Sequence, residues 1–535
     1  MLSPVVEGGF MKHRKLMTLT LLLILPVVIA AAENLQKVFQ VDDDVYQLVE
    51  AILLEQGLAP PFSSKPWSAD ELKRILAQIP RETLSEAGRS SHDYLQRRLE
   101  HRTLYSADES AAFNTGINAT FETYLHTNAE NTRWEYGYEE RSPLMTVPFE
   151  LWLFDALYAD LELTIREAHK TVGNPNIPPN WSNIPDTLYY LDSYFPFRAF
   201  ISFGGPHWRV QFGRDSAGWG NGKTGNLLLS DYSDFYDLLQ IATYWNTFKI
   251  SATYAVFEAW WDDAKKYKAW YGHRLSMRLF KRLNISISES VIMGSQYPEL
   301  IRDLNPLMIF HNWTTPERFN SMATVEIDLN PWKYGSIYVQ YAIDDASTPY
   351  EADRADAKPG ASGFIGGVQA SIPVGGGYLS VNGEFAYTTP WMYLHRYTEH
   401  RYTNTRRIWS HVADSFNYVE KSVGYWAGPD TMLQHYEISY AVPGLLTSLF
   451  SVEYRLSGEI RFGSEYLEGE ESFITTPSGE FPERELVLRL GVDVDITRWL
   501  SAGTDLFWLD RKNTDNVSGA DQQDLQWALR LGVHF

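Results

Sequence analysis

The chain has 535 residues, no cysteine, a formal charge of −21, and 18 Trp, 32 Tyr and 27 Phe. Disulfides, thiolate metal sites and a lipid-bearing cysteine are thereby excluded, and the acidity argues against nucleic acid as a partner. Mean hydropathy is only −0.29, and no apolar run long enough for a membrane-spanning helix follows the N-terminal leader.

Taken from Met11, the leader has the basic residues of MKHRK, an apolar stretch from Leu16 to Ile29 and the small triplet Ala30-Ala31-Ala32. This is the pattern of a secretory signal peptide over residues 11–32, so export is expected. Removing residues 1–32 takes away Lys12, Arg14, Lys15 and Glu7 and moves the formal charge to about −23. A long, exported, aromatic, mildly hydrophilic chain fits a transmembrane β-barrel, in which only every second residue must face lipid.

Helical spacing comes first. Val45, Leu48, Val49, Ile52 and Leu53 recur on one face after Asp42 to Asp44, which supply an N-cap, and Gly57 ends the run. Ser68 and Glu71 form a capping box ahead of Leu72, Ile75, Leu76 and Ile79. A weaker pattern runs from about Ser90 to Leu104. These segments predict a small helical plug over residues 33–112 on the periplasmic side, with the barrel over 113–535.

From Thr115 the period becomes two. Ile117, Ala119, Phe121, Thr123 and Leu125 share a face, as do Trp208, Val210 and Phe212, then Ile337, Val339, Tyr341 and Ile343, then Val452, Tyr454 and Leu456. In LVLRLGVDVDI the apolar set is Leu486 to Ile496, and the opposite face carries Arg489, Asp493 and Asp495. Mid-strand charges suit a wet or salt-bridged barrel interior better than a dry sandwich core. The last strand, with Trp527, Leu529, Leu531, Val533 and Phe535 on one face, ends on an aromatic residue. In this it resembles outer-membrane barrels, whose closing strand is recognised by the barrel-insertion machinery. The 421 positions from Thr115 to Phe535, at about 20 to 25 per strand and loop, accommodate about 16 to 20 strands, and an even number suggests 16 or 18. Loops are expected at Thr171 to Thr187, Asp344 to Gly363 and Gly469 to Arg484.

Within FGRDSAGWGNGKTGNLLLSDYSDF, from Phe212 to Phe235, the segment AGWGNGKT departs from a phosphate-binding loop by Ala217 alone. No amphipathic helix follows it, so the helix N-terminus that would cradle a phosphate is missing, and a nucleotide site is not expected. The block instead resembles the Wzi family of capsule-assembly outer-membrane proteins. RDLNPLMIFHNW (Arg302 to Trp313), Asn320 and YVQYAIDD (Tyr338 to Asp345) carry the same resemblance, which would span the mature chain from near Val41 to Phe535. It implies an 18-stranded barrel closed on the periplasmic side by a helical bundle, whose outer loops hold capsular polysaccharide at the cell surface.

Candidate site residues follow in two groups. Arg214 and Asp215 either pair to fix the lumen and present Trp219 to a sugar ring, or belong to a salt-bridge lattice in the interior. Trp313, beside His311 and Asn312, offers stacking. Between Thr389 and Trp409, Arg396, Arg401, Arg406 and Arg407 interleave with Tyr393, Tyr397, Tyr402 and Trp409. This patch is either a contact for an anionic glycan or part of an interfacial girdle. No HExxH, no GxSxG and no cysteine nucleophile is found, and no EF-hand spacing supports calcium in the acidic loops. The expectation is a non-enzymatic, cofactor-free outer-membrane protein that anchors polysaccharide. A porin or substrate-specific channel, and a structural or adhesive protein without a glycan, remain as alternatives.

Overall fold

Eighteen antiparallel strands close into one barrel. The computed structural model describes residues 35–535 except 101–103, 108–110, 129–130, 132, 138–139, 155, 167–180, 186–195, 234, 258–266, 296–318, 346–359, 411–414 and 468–473. The leader, most of the expected 171–187 loop, and the Arg302 to Trp313 stretch lie outside the described residues.

The strands are β1 (Ala111–Thr115, continuing as Asn118–His126), β2 (Met145–Leu153), β3 (Leu157–Ile165), β4 (Arg198–Gly205), β5 (Trp208–Asp215), β6 (Tyr236–Tyr244). Next come β7 (Phe248–Phe257), β8 (Tyr267–Leu279), β9 (Leu283–Ser295), β10 (Phe319–Trp332), β11 (Gly335–Asp345) and β12 (Ala361–Val374). The last six are β13 (Gly377–Thr388), β14 (Thr431–Val442), β15 (Leu446–Ser457), β16 (Glu483–Thr497), β17 (Leu500–Lys512) and β18 (Gln522–His534). Each strand pairs with its chain neighbour, and β18 closes on β1 with Ala528 opposite Tyr124. Connections alternate between tight turns, such as Phe280 to Arg282, and long loops, such as 389–430. Tight turns mark the periplasmic rim and long loops the outer face. Strand β11 runs to Asp345 and β12 starts at Ala361, so the 344–363 connection is shorter than expected; β16 likewise begins at Glu483.

The period-two pattern sorts the two faces. On β18, Trp527, Leu531 and Phe535 are exposed on the outside, while Ala528 is buried inside. Also inside, Arg530 donates to Asp505 at 2.5 Å and Asp493 at 2.8 Å. On β16, Leu490 and Ile496 face out, and Arg489 donates inward to Asp505 at 2.8 Å. Lipid takes the apolar row because a buried charge would go unpaired there, whereas the lumen supplies partners.

Inside the periplasmic end sit three helices: α1 (Asp44–Glu55), α2 (Ala69–Leu76) and α3 (Glu86–Leu99). Asp43 caps α1 by accepting from Val45 N at 3.0 Å, and Gly57, at φ 67°, ends it in the left-handed region. Val45, Val49, Ile52, Leu53, Leu72, Leu76 and Leu95 are buried together around Trp67. Third in the chain, α3 starts at Glu86, earlier than the apolar spacing indicates, because its first turn is polar and the N-cap Ser85 hydroxyl accepts from Gly88 N at 3.0 Å. Asp43→Ala should destabilise α1 by about 1 kcal/mol, read as faster amide hydrogen exchange at Val45 and Tyr46 with the barrel amides unchanged.

The plug is clamped by cations from one side of the wall. Arg198 on β4 donates to Val38 O at 2.7 Å, and Arg209 on β5 donates to Pro66 O at 2.8 Å. On β7, Lys249 reaches Ser64 O at 2.8 Å and Glu71 at 2.6 Å; on β8, Arg274 reaches Ser63 Oγ at 2.5 Å and Arg278 reaches Pro60 O at 2.9 Å. The capping box expected of Ser68 and Glu71 is thus half formed. Ser68 Oγ accepts from Glu71 N at 3.3 Å, but the Glu71 carboxylate turns to the buried Lys249 ammonium, which needs an anion more than the helix end does.

The lumen plug and the outer loops

After Asp215 the chain leaves the wall and folds into the lumen. Gly218–Trp219 pairs antiparallel with Ser64–Lys65, setting Ser64 opposite Trp219. Trp219 N donates to Leu229 O at 2.8 Å and Gly220 N to Ser63 O at 3.1 Å. Gly220 has φ 133°, and a Cβ there would collide with Asn226 and Gln340, so this reversal requires glycine.

The near-phosphate loop does collect an anion, but one supplied by the protein. Glu384 on β13 accepts from Lys223 N at 2.7 Å, Thr224 N at 2.9 Å and Tyr338 OH at 2.6 Å, and also from the Thr224 hydroxyl. A carboxylate therefore occupies the place where the pattern would hold phosphate. The Lys223 ammonium donates to Glu50 on α1 at 2.8 Å. Burial works against the Lys223 charge, but the Glu50 carboxylate outweighs it and leaves the group above its ordinary range. Beside this contact lies a cavity of about 360 Å³ between α1, residues 220–226 and the walls of β12 to β14. It is lined by Asp42, Asp43, Glu50, Asp231, Lys65 and Lys223 among others. At Lys65 burial prevails and draws the ammonium below its ordinary range.

Above the cavity the lumen is filled by apolar side chains. Trp219, Leu227, Leu228 and Leu229 pack with Met392, Tyr393, Tyr402 and Tyr425 from the 389–430 loop, against Trp270, Met322, Ile365 and Leu433 of the wall. Trp219 meets Trp270 edge to face at 5.4 Å and is fully buried. Tyr393 OH donates to Leu227 O at 2.9 Å and accepts from Tyr425 N at 2.9 Å, which ties the two loops together.

The sequence-predicted residues fall in different places. Arg214 and Asp215 do not pair, since consecutive residues of a strand face opposite sides. Arg214 lies on the outward side and donates to Asp237 at 2.9 and 3.0 Å, with Phe235 4.0 Å beneath its guanidinium. Asp215 faces inward and accepts from Arg198 Nε at 3.2 Å and Gln211 Nε2 at 2.6 Å. Trp219 is sealed inside and cannot meet an external sugar as the chain stands. Arg396 and Tyr397 are exposed on an outer loop, with the guanidinium 5.0 Å over the ring. Arg401 follows them and donates to Ser464 O at 3.3 Å, bridging to the 458–482 loop. Arg406 and Trp409 lie on a hairpin, Thr403–Ser410 with Ser415–Ser422, at register positions opposite Val419 and Phe416. Trp313 lies outside the described residues. Glu384, Lys249 and Arg198 were missed by the sequence reading, although each is a charged residue at an inward position of an alternating strand.

A barrel of eighteen strands, filled from below by a helical plug and from above by inward-folded loops, is an outer-membrane protein with an occluded lumen. The family model described as "Capsule assembly protein Wzi" matches residues 192–435, which contain all the stretches that carried the resemblance. Over that stretch the chain is similar to the Wzi family of capsule-assembly proteins. Its fold is similar to that of Wzi from Escherichia coli, described as an outer membrane protein involved in group 1 capsule assembly and a carbohydrate-binding β-barrel. That likeness has a TM-score of 0.59 at 13% identity and covers 94% of this chain and 99% of the other. Acinetobacter baumannii OccAB4 (TM-score 0.38, 9% identity, 80% and 98% covered) and Pseudomonas aeruginosa OprD (0.37, 9%, 79% and 95%) also match. Among curated proteins none matches.

Proposed function

We propose that the protein is a non-enzymatic anchor for exported surface polysaccharide, which it holds on its outer loops. Residues 33–112 act as a periplasmic plug and 113–535 as the barrel, inserted through its C-terminal strand ending at Phe535. The observation that carries the reading is the outer loop layer: Tyr393 and Tyr402 are buried in the lumen while Arg396 and Tyr397 of the same loop are exposed. A loop so braced presents a cation and a ring in a fixed arrangement, suited to an acidic sugar by charge and stacking together. Capsule assembly in the related E. coli protein supports the substrate class.

The test is binding of purified acidic capsular polysaccharide to the refolded protein. Arg396→Ala with Tyr397→Ala should weaken binding roughly tenfold, with the thermal midpoint unchanged, since exposed cation and ring contacts each contribute about 0.5–1 kcal/mol. Equal binding by the double variant and the parent would remove this loop from the site.

A further inference from the structure

Two neighbouring turns of the periplasmic rim together carry three cations. The turn between β8 and β9 presents Phe280, Lys281 and Arg282, and the next, between β10 and β11, presents Lys333 and Tyr334. Lys281, Arg282 and Lys333 are all exposed, and among the described residues none of the three has an ion-pair partner. In a chain of net charge −21, whose lumen cations are clamped to carboxylates and carbonyls, three cations without a carboxylate partner on adjacent hairpins, Lys333 lying 4.8 Å over the Tyr334 ring, stand out as an interaction surface.

Apolar residues flank them on the membrane side. Phe280 is 91% exposed and Trp332 52% exposed. The Trp332 indole fills the space a Cβ on Gly335 would need, so it lies over the outward wall at the rim. Phe280 and Lys281 hold φ of 52° and 62°, left-handed values that Gly or Asn adopt far more readily. Keeping Phe and Lys there strains the backbone, with no internal packing of Phe280 in return. The last turn of α1 and the segment after it fix these turns from inside: Ala59 N donates to Lys281 O at 2.9 Å and Tyr334 N to Leu54 O at 2.8 Å. A Cβ on Gly57 would lie 3.9 Å from both Arg282 Nη2 and Lys333 Cα, so the two turns meet beside the end of α1.

We propose that this surface binds the phosphate headgroups of anionic phospholipids in the periplasmic leaflet of the outer membrane. Phe280 and Trp332 enter the interfacial region, and Lys281, Arg282 and Lys333 meet the phosphates. Since the turns are hydrogen-bonded to α1 and to the plug segment just after it, a bound lipid also braces the plug against the rim.

The mature protein in neutral detergent, loaded with equal amounts of phosphatidylglycerol and phosphatidylcholine, tests this by native mass spectrometry. Phosphatidylglycerol adducts should be retained preferentially, and the preference should fall about fivefold for each of Lys281→Gln, Arg282→Gln and Lys333→Gln. The heat-modifiable gel shift confirms folding of each variant. Arg498→Gln, which removes a cation from the turn between β16 and β17, should leave the preference unchanged. An equal loss in Arg498→Gln would make the effect one of net charge and overturn the proposal. So would an unaltered preference in the three variants, or displacement of the lipid by millimolar inorganic phosphate.

Discussion

Deleting the helices alone will not open this barrel. In planar bilayers the intact protein is expected to be electrically silent, and so is a version lacking residues 36–100. Steady conductance is expected once Gly218 to Leu228 are also replaced by a short flexible linker. An empty barrel of 18 strands is wide enough for an aqueous channel, so silence must come from what fills it. The helices fill the periplasmic half, but Trp219, Leu227, Leu228, Tyr393, Tyr402 and Tyr425 make a separate apolar layer across the outer half. A closed apolar layer excludes hydrated ions whether or not anything lies beneath it. Steady conductance in the intact protein would return the channel reading to first place. Conductance on removing the helices alone would show that the outer layer does not seal.

Strand positions and the lipid-facing row were legible because a period of two is imposed by the backbone itself, so Leu490, Trp527 and Leu531 could be placed from the sequence. The plug helices were legible for the same local reason, through Asp43, Gly57 and Ser68 at their ends. The interior was not, because its partners are far apart in the chain: Glu384 and Thr224 are 160 residues apart, and Lys249 and Glu71 178. No spacing rule reaches across strands, and adjacency misled at Arg214 and Asp215, whose side chains point to opposite faces. The basic-aromatic run after Thr389 was visible as composition. What sequence could not give is its division into a buried half, Tyr393 and Tyr402, and an exposed half, Arg396 and Tyr397.

Glu384→Leu should release the glycine-rich loop from the wall, at a cost of about 3–5 kcal/mol. The substitution removes the acceptor of Lys223 N, Thr224 N and Tyr338 OH while keeping a side chain of similar size. Each donor left unsatisfied in a buried site costs about 1–3 kcal/mol, and relaxation of a loop recovers part of the sum. Limited proteolysis reads the result, because Lys223 becomes cleavable when its loop lifts, whereas β13 itself keeps its ladder to β12 and β14. Glu384→Gln should fall between, since one oxygen still accepts but the amide group faces donors. The loop also bears on the plug: Lys223 loses its position against Glu50, and Trp219 its pairing with Ser64. The Leu variant should therefore expose α1 to faster hydrogen exchange although no residue of α1 is altered. Unchanged proteolysis at Lys223 together with unchanged exchange in α1 would mean that the apolar layer of Trp219 and Leu227 to Leu229 holds the loop without Glu384. The backbone donors of Lys223 and Thr224 would then be a consequence of the turn and not its anchor.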